Sequence, residues 1–159
     1  MQPIKFINVF IVQHAKKLIE QKSYISAVMV LTIGIEIMGG FFDKKPLKSP
    51  KQSKARFKIA FEKLLGGRYA AINRNDFLYE SLRNQLIHSL ISGKILLFSL
   101  EKQHLTEQDG FIIFNPLTFL SDTEKASKKL AEMFVKGKVF TKKIPDNALN
   151  LKRYQVFSL

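Results

Sequence analysis

The segment 76–91 carries the polar side chains of this sequence that are best suited to chemistry. If the segment is helical, Glu80, Arg83, Asn84 and His88 lie within about 140° of one another at about 100° per residue. A histidine exchanges protons near neutral pH, and the planar guanidinium of an arginine binds oxyanions through two parallel hydrogen bonds. Sites that transfer protons or bind oxyanions are built from these residue types.

The opposite side of this helix is apolar, with leucines at i, i+4 spacing: Leu78, Leu82, Leu86 and Leu90. This stripe predicts the face that packs into the core. The polar face also carries large apolar residues: Phe77, Ile87 and Ile91. A solvated face rarely does so, and the pattern predicts a second buried surface, either a dimer interface or a cleft. A structural alternative stays open, in which Glu80 and Arg83 form a local ion pair and His88 is a satisfied hydrogen-bonding residue.

Residues 79–89 (YESLRNQLIHS) resemble the signature helix of the HEPN superfamily of small helical nucleases and RNA-binding modules. In that pattern an arginine is followed by Asn, Asp or His, and a histidine comes after four to six intervening residues. Here Asn84 follows Arg83, and four residues separate Arg83 from His88. The end of the preceding apolar helix, residues 35–39 (IEIMG), is also similar to members of the superfamily. Some toxin members carry a tyrosine where this chain has Leu90.

The resemblance implies metal-independent RNA cleavage, in which the RNA 2′-hydroxyl attacks the adjacent phosphate and leaves a cyclic phosphate. Arg83 would neutralise the phosphate charge, His88 would move a proton as general base or acid, and Asn84 would orient the histidine or the phosphate. It also implies a homodimer with the site across its cleft. Two alternatives remain: a non-catalytic HEPN-like module that binds RNA or a protein partner, and an unrelated helical domain with a structural or membrane-associated role.

The charge balance points to a polyanion, because 26 basic residues face 13 acidic ones and the net charge is +13. RNA is the polyanion that we expect, although a lysine-rich composition also arises from codon bias. Seven basic residues fall between positions 44 and 58: Lys44, Lys45, Lys48, Lys51, Lys54, Arg56 and Lys58. We expect these residues to contact phosphates. The alternative is a solvated basic loop.

Several classes of protein are excluded or disfavoured by what the sequence lacks. There is no cysteine, which excludes disulfides, thiolate metal sites and cysteine nucleophiles. Phosphate-binding-loop and dinucleotide fingerprints are absent, and the three histidines fall in different predicted elements. We therefore expect no cofactor and no metal site. The N-terminal residues do not resemble a cleaved leader, so we expect a cytoplasmic protein.

The elements around segment 76–91 predict a mainly α fold, a four- to five-helix bundle with an inserted β-hairpin at about 95–114. Apolar spacing and capping residues place helices at about 3–21, 24–38, 54–65, 77–91 and 122–136. The length of 159 residues suits one domain, with a basic tail at about 138–159. Asp109 and Gly110 mark the hairpin turn, and a capping box at 121–124 is expected to open the last helix.

One segment, 24–42, is long and apolar enough to cross a membrane. It contains Glu36, and a carboxylate in the middle of a bilayer costs on the order of 2–3 kcal/mol. We therefore expect a helix buried at the centre of a bundle rather than a transmembrane span.

Overall fold

The computed structural model describes residues 2–89, 96–142 and 144. The predicted fold class is confirmed: the chain is mainly helical, with a small three-stranded sheet inserted before the last helix. The predicted ends of the fourth helix at 90–91 and most of the basic tail lie outside the described residues.

Three helices precede the segment that carries the candidate site. Helix α1 covers 3–20, with a wider π-helical stretch between two α-helical ones: Pro3–Phe6, Ile7–Val12 and Gln13–Glu20. Helix α2 is Tyr24–Gly39, followed by a 3₁₀ turn, Gly40–Phe42. Helix α3 covers 53–65, as Ser53–Ala60 and a π-helical end, Phe61–Leu65. These bounds agree with the predicted ones to within a few residues.

A short helix that the sequence did not predict, α4 (Gly67–Ile72), follows Gly66. A 3₁₀ turn, Arg74–Asp76, then leads into α5, which the structure describes over 77–89. Asn73 supplies the expected cap, since its Oδ1 accepts a hydrogen bond from the backbone N–H of Tyr79 at 3.1 Å. The turn thus fixes where α5 begins.

Helix α2 is the centre of the bundle, and α1, α3 and the last helix pack against it. Its buried side chains are Ala27, Val28, Leu31, Thr32, Ile35 and Met38. The stretch Tyr24–Phe42 passes the length and composition test for a membrane span, and 56% of its most apolar part is buried within this fold. The core position agrees with the prediction of a central helix.

Gly39 sets the distance between α2 and α3. A Cβ atom at this position would lie 1.9 Å from the backbone carbonyl oxygen of Arg56, which is far closer than any contact permits. Only a glycine therefore lets the two backbones approach this closely. The close crossing brings the start of α3, at Ser53, beside Glu36 of α2.

The predicted loop between α2 and α3 is built around a buried arginine. Arg56 is 4% exposed, and its Nε donates to Asp43 Oδ2 at 2.7 Å. Burial alone would raise the pKa of Asp43, but hydrogen bonds from Arg56, Lys142 and the Lys45 backbone outweigh it and lower that pKa to about 2. The remaining guanidinium donors bind loop carbonyls: those of Lys45, Pro46 and Leu47.

The sheet corrects the predicted strand pairing. Strand β1 (Leu96–Phe98) lies parallel to β3 (Phe111–Phe114), whereas the sequence predicted that these runs form the hairpin. The hairpin instead joins β2 (Glu107–Gln108) to β3 through Asp109 and Gly110, which both adopt positive φ. Residues 99–106 are long enough to carry the chain across the sheet edge before it turns back. The apolar composition of the two runs does not show that the chain crosses the sheet between them.

The last helix, α6 (Pro116–Val135), begins six residues earlier than the predicted Asp122. Asn115 is its N-cap, because its Oδ1 accepts from the backbone N–H groups of Leu117 and Thr118, and Pro116 fits the first helical position. The capping box predicted at 121–124 is therefore wrong, since those residues lie inside the helix. The predicted stop at Gly137 holds, with φ +63.

Candidate functional site

Helix α5 places its faces as the leucine spacing predicts. Leu78, Leu82 and Leu86 are at most 1% exposed and pack in the core. The stretch Tyr79–Leu86 is π-helical rather than α-helical. In a π-helix each turn closes through an i→i+5 hydrogen bond, so residues five apart become neighbours. Such stretches are rare and often mark functional positions.

The wider turn brings Arg83 and His88 together, although an α-helix would hold them about 140° apart. Arg83 Nη1 lies 3.0 Å from Nε2 of His88. Arg83 Nε also donates to Oε2 of Glu36 at 2.6 Å, and Oε1 of Glu36 accepts from the Ser53 hydroxyl at 2.7 Å. These four residues, from α2, α3 and α5, are called the Arg83 cluster below.

The contact with Arg83 fits one tautomer of His88. A guanidinium can only donate, so Nε2 of His88 accepts in this contact, and the tautomer that fits it carries its proton on Nδ1. The Arg83 side chain is 23% exposed and that of Glu36 is 21% exposed, while His88 is exposed. Within the described part of the chain, the other N–H groups on Nη1 and Nη2 of Arg83 have no hydrogen-bond partner, and an oxyanion that approaches from solvent can accept them.

Two of these residues escaped the sequence analysis as site residues, namely Glu36 and Ser53. A signal existed for Glu36, because a single carboxylate within an apolar buried helix needs a partner. Nothing in the sequence pointed to Ser53, whose place beside Glu36 depends on the close crossing of α2 and α3.

The described hydrogen bonds do not join Asn84 to His88, although the two lie beside each other on the predicted helix. Its Nδ2 donates to Oε2 of Glu80 at 2.7 Å. The local Glu80–Arg83 ion pair of the structural alternative is also not formed, since the carboxylate partner of Arg83 is Glu36. Asn84 and Glu80 thus form a separate pair next to the Arg83 cluster.

The seven basic residues proposed to contact phosphates divide into two groups. Four are engaged within the protein: Arg56 with Asp43, Lys54 with Asp76, Lys45 with Gln52, and Lys44 against the ring of Phe140. The other three are exposed and have no side-chain ion pair or hydrogen bond among the described residues: Lys48, Lys51 and Lys58. Arg56 is buried beneath the loop and cannot reach a ligand from solvent.

One residue of the second apolar face of α5, Phe77, lies beside the inserted sheet. Phe77 shares a groove of about 270 Å³ with Ile72, Gly110 and Ile112. The hairpin therefore supplies part of the surface that the sequence analysis assigned to a dimer or a cleft. Ile87 is half-buried, and Ile91 lies outside the described residues.

Within residues 2–89, 96–142 and 144, no group of three or more metal-ligating side chains comes together. Comparisons of the chain with models of known protein families, with curated proteins and with solved structures find no match.

Proposed function

We propose that this protein acts on RNA as a HEPN-like, metal-independent endoribonuclease whose active form is a homodimer. The observation that supports the proposal most is the 3.0 Å contact between Arg83 Nη1 and His88 Nε2, with Arg83 fixed by Glu36. It joins an oxyanion-binding group to a proton-transfer group at the surface. The chemistry requires no cofactor.

The proposed reaction begins when an RNA phosphate accepts N–H groups of Arg83. The contact between Arg83 and His88 then loosens and frees Nε2 of His88 to take the proton of the 2′-hydroxyl. The 2′-oxygen attacks phosphorus, the bond to the 5′-oxygen breaks, and the products are a 2′,3′-cyclic phosphate and a 5′-hydroxyl. Arg83 stabilises the additional negative charge on the phosphate in the transition state.

Glu36 acts in this proposal as a positioning residue. Its carboxylate receives Nε of Arg83 on one oxygen and the hydroxyl of Ser53 on the other. Both oxygens are therefore fixed from two helices, and the guanidinium plane is held with its Nη side toward His88 and solvent. A planar group that is held in advance loses less conformational entropy when it binds phosphate.

A homodimer would complete the proton transfers. The leaving 5′-oxygen must receive a proton while the 2′-oxygen loses one, and each chain provides one His88. The second copy's His88 would supply that proton as an imidazolium, which forms when its Nε2 leaves Arg83 and takes up a proton from solvent, and it would end the reaction as neutral imidazole while the first copy's His88 ends it protonated. Sedimentation at tens of micromolar is expected to give a dimer, and a clean monomer would contradict this part of the proposal.

A cleavage assay with EDTA tests the proposed activity. The wild type should cut single-stranded RNA, whereas His88→Ala and Arg83→Lys should not, because a lysine does not reproduce the planar fork. His14→Ala, which removes an exposed histidine from α1, is the matched control and should cut normally. Uncut RNA in the wild type would overturn the nuclease proposal.

One observation favours the non-catalytic alternative. The lone pair of His88 Nε2 is already occupied by Arg83, and the Arg83–Glu36 ion pair links α5 to α2. A purely structural pair would behave in this way. In that case His88→Ala and Arg83→Ala lower the melting temperature, RNA still binds, and no cleavage is seen with any variant.

A further inference from the structure

A second polar cluster lies at the other end of α3 and belongs to none of the steps above. The hydroxyl of Tyr69 donates to Oδ2 of Asp122 at 3.0 Å and lies 2.8 Å from Nε2 of His104. The backbone N–H of Asn115 donates to Nδ1 of His104 at 2.8 Å. These four residues, called the Tyr69 cluster below, join α4, the loop before β2 and the start of α6.

The direction of each hydrogen bond in the Tyr69 cluster follows from the contact between the Asn115 N–H group and Nδ1 of His104. Since Nδ1 of His104 accepts, Nε2 carries the proton of the neutral ring and donates to the Tyr69 oxygen, which donates onward to Asp122. Burial lowers the pKa of His104 to about 4; Asp122 opposes this shift and Arg68 adds to it. Burial, and then Asp122, raise the pKa of Tyr69. In this series of hydrogen bonds the His104 ring and the Tyr69 hydroxyl are therefore neutral, and the series ends at the Asp122 carboxylate.

A cavity of about 500 Å³ opens beside this cluster, with a volume typical of sites for small ligands. Its apolar wall is formed by leucines from the end of α3 and the adjacent loop: Leu64, Leu65 and Leu105. Three cationic residues stand around it, from α4, the loop and α6: Arg68, Lys102 and Lys125. The one carboxylate in the lining is Asp122, whose Oδ1 accepts from Lys125 at 3.0 Å.

The three cations of this cavity differ in how far the protein engages them. Lys125 pairs with Asp122, and among the residues that the structure describes Arg68 makes one long contact, 3.4 Å from Nη1 to the carbonyl oxygen of His104. The ammonium of Lys102 has no partner among the side chains that the structure describes. The Tyr69 cluster holds the loop that carries Lys102 and Gln103. His104 is the next residue of that loop, and both of its ring nitrogens are hydrogen-bonded, to Tyr69 and to the backbone of Asn115. The three cationic residues are exposed beside the cavity, and the backbone of the loop that carries Lys102 is held in place through His104.

We propose that this cavity binds a phosphate monoester carried on an organic group of about nucleoside size. The phosphate would be held by Arg68, Lys102 and Lys125, and the organic group would lie against the leucine wall. A hydroxyl or amine of the ligand would donate to Asp122. A lone phosphate would leave most of the volume empty, and a dianion best matches three cations that face one carboxylate.

Titration calorimetry with adenosine 5′-monophosphate, adenosine and inorganic phosphate tests this assignment. The monophosphate should bind saturably, and adenosine should not. Arg68→Ala and Lys102→Ala should each weaken binding about tenfold or more, because each removes a charged hydrogen-bond donor. Lys136→Ala removes the same charge from an exposed residue just after the far end of α6 and should bind like the wild type. Circular dichroism shows whether each variant is folded, and Lys102 lies in an exposed loop where alanine is tolerated.

The phosphate monoester could be the 5′ end of a nucleic acid or a free nucleotide. Two oligodeoxynucleotides, one with a 5′-phosphate and one with a 5′-hydroxyl, distinguish these two sources. Preference for the phosphorylated oligomer over the mononucleotide assigns the site to nucleic-acid ends, and the reverse order assigns it to a free nucleotide. The proposal would be overturned if the wild type showed no saturable binding, if Arg68→Ala and Lys102→Ala bound the monophosphate as tightly as the wild type, or if inorganic phosphate bound as tightly as the monophosphate.

The inference does not rest on the proposed nuclease activity. Ser53 and Leu65 are at opposite ends of α3, roughly 18 Å apart at 1.5 Å per residue. His88→Ala should therefore bind adenosine 5′-monophosphate like the wild type. The DNA probes lack the 2′-hydroxyl and remain intact whether or not the Arg83 cluster is active.

Discussion

The two polar clusters of this protein stand at opposite ends of α3 and differ in how fully their hydrogen bonds are used. In the Tyr69 cluster both nitrogens of His104 are bonded, and the residue is 7% exposed. In the Arg83 cluster His88 is exposed, and Nδ1 has no protein partner within the described chain. The guanidinium of Arg83 also has N–H groups on Nη1 and Nη2 that no described residue accepts.

The difference follows from burial. A polar group without a partner inside a protein costs about 1–3 kcal/mol, so a buried cluster must satisfy itself. The Tyr69 cluster therefore fixes the fold and shapes the cavity beside it. The Arg83 cluster lies at the surface, where water can satisfy unused donors, and it remains able to exchange its contacts for those of a ligand. Substitutions in the two clusters should consequently separate stability from activity.

The largest expected effect is on cleavage by variants of the Arg83 cluster. Arg83→Ala and His88→Ala should each reduce the cleavage rate by about 10²–10⁴-fold, the usual contribution of a proton-transfer group or charge clamp. Glu36→Ala should reduce it by about 10²-fold through lost positioning. Initial rates on one RNA oligonucleotide measure all three. Tyr69→Phe is the matched control from the Tyr69 cluster and should cut at the wild-type rate. An equal loss of cleavage rate in Tyr69→Phe would contradict the functional difference between the two clusters.

The next largest effect concerns the crossing that brings Ser53 to Glu36. Gly39→Ala would press a methyl group into the Arg56 carbonyl and should lower the free energy of unfolding by about 3 kcal/mol or more. Urea unfolding measures this change. Gly67→Ala is the control, because a Cβ there meets nothing within 4 Å and φ is not positive. Similar stabilities for the two variants would contradict the close packing of α2 on α3.

A pH dependence separates the buried histidine from the exposed ones. The pKa of His104 is about 4 in the folded protein, against 6.5 ordinarily. As the pH falls, the unfolded protein therefore takes up this proton before the folded protein does. Its contribution is complete above pH 6.5 and is lost as the pH falls through 4, at most about 3 kcal/mol. His104→Gln should flatten the stability profile in this range, and His14→Gln should not. Parallel profiles for His104→Gln and the wild type would contradict the assignment.

The smallest effect is expected for single lysines of the basic segment. Replacing exposed Lys48, Lys51 or Lys58 by alanine should each reduce the log–log salt slope of RNA binding by about 0.7. Fluorescence anisotropy at several salt concentrations gives the slope. Lys17→Ala, on an exposed face of α1, serves as the charge-matched control. RNA affinity that does not change with salt would leave this segment as a solvated loop.

Sequence reasoning was most successful where local spacing decides the structure. The leucine stripe of α5, the central position of α2 and the helix stops at Gly66 and Gly137 follow from periodicity and backbone conformation. It failed where contacts between residues far apart in the sequence determine the structure. The parallel pairing of β1 with β3 depends on a crossing that alternation does not encode, and Asn115–Pro116 starts α6 earlier than the competing capping box.

The candidate sites divide in the same way. The residues Arg83 and His88 could be singled out by type and spacing, but their contact requires the π-helical turn, which no simple periodicity predicts. Arg56 could not be separated from the exposed lysines, because its burial depends on Asp43 and three loop carbonyls. The Tyr69 cluster escaped entirely, since its members come from three separate elements.

The most direct test of the central claim uses one RNA oligonucleotide and a copy with a single 2′-deoxy substitution at the cut position, both in EDTA. If the Arg83 cluster is the active site, the all-ribose strand should be cut to a 2′,3′-cyclic phosphate, and no cut should occur at the substituted position. His88→Ala should cut neither strand. An uncut ribose strand, a cut at the deoxy position, or cleavage that survives His88→Ala would contradict the assignment of the Arg83 cluster as the active site.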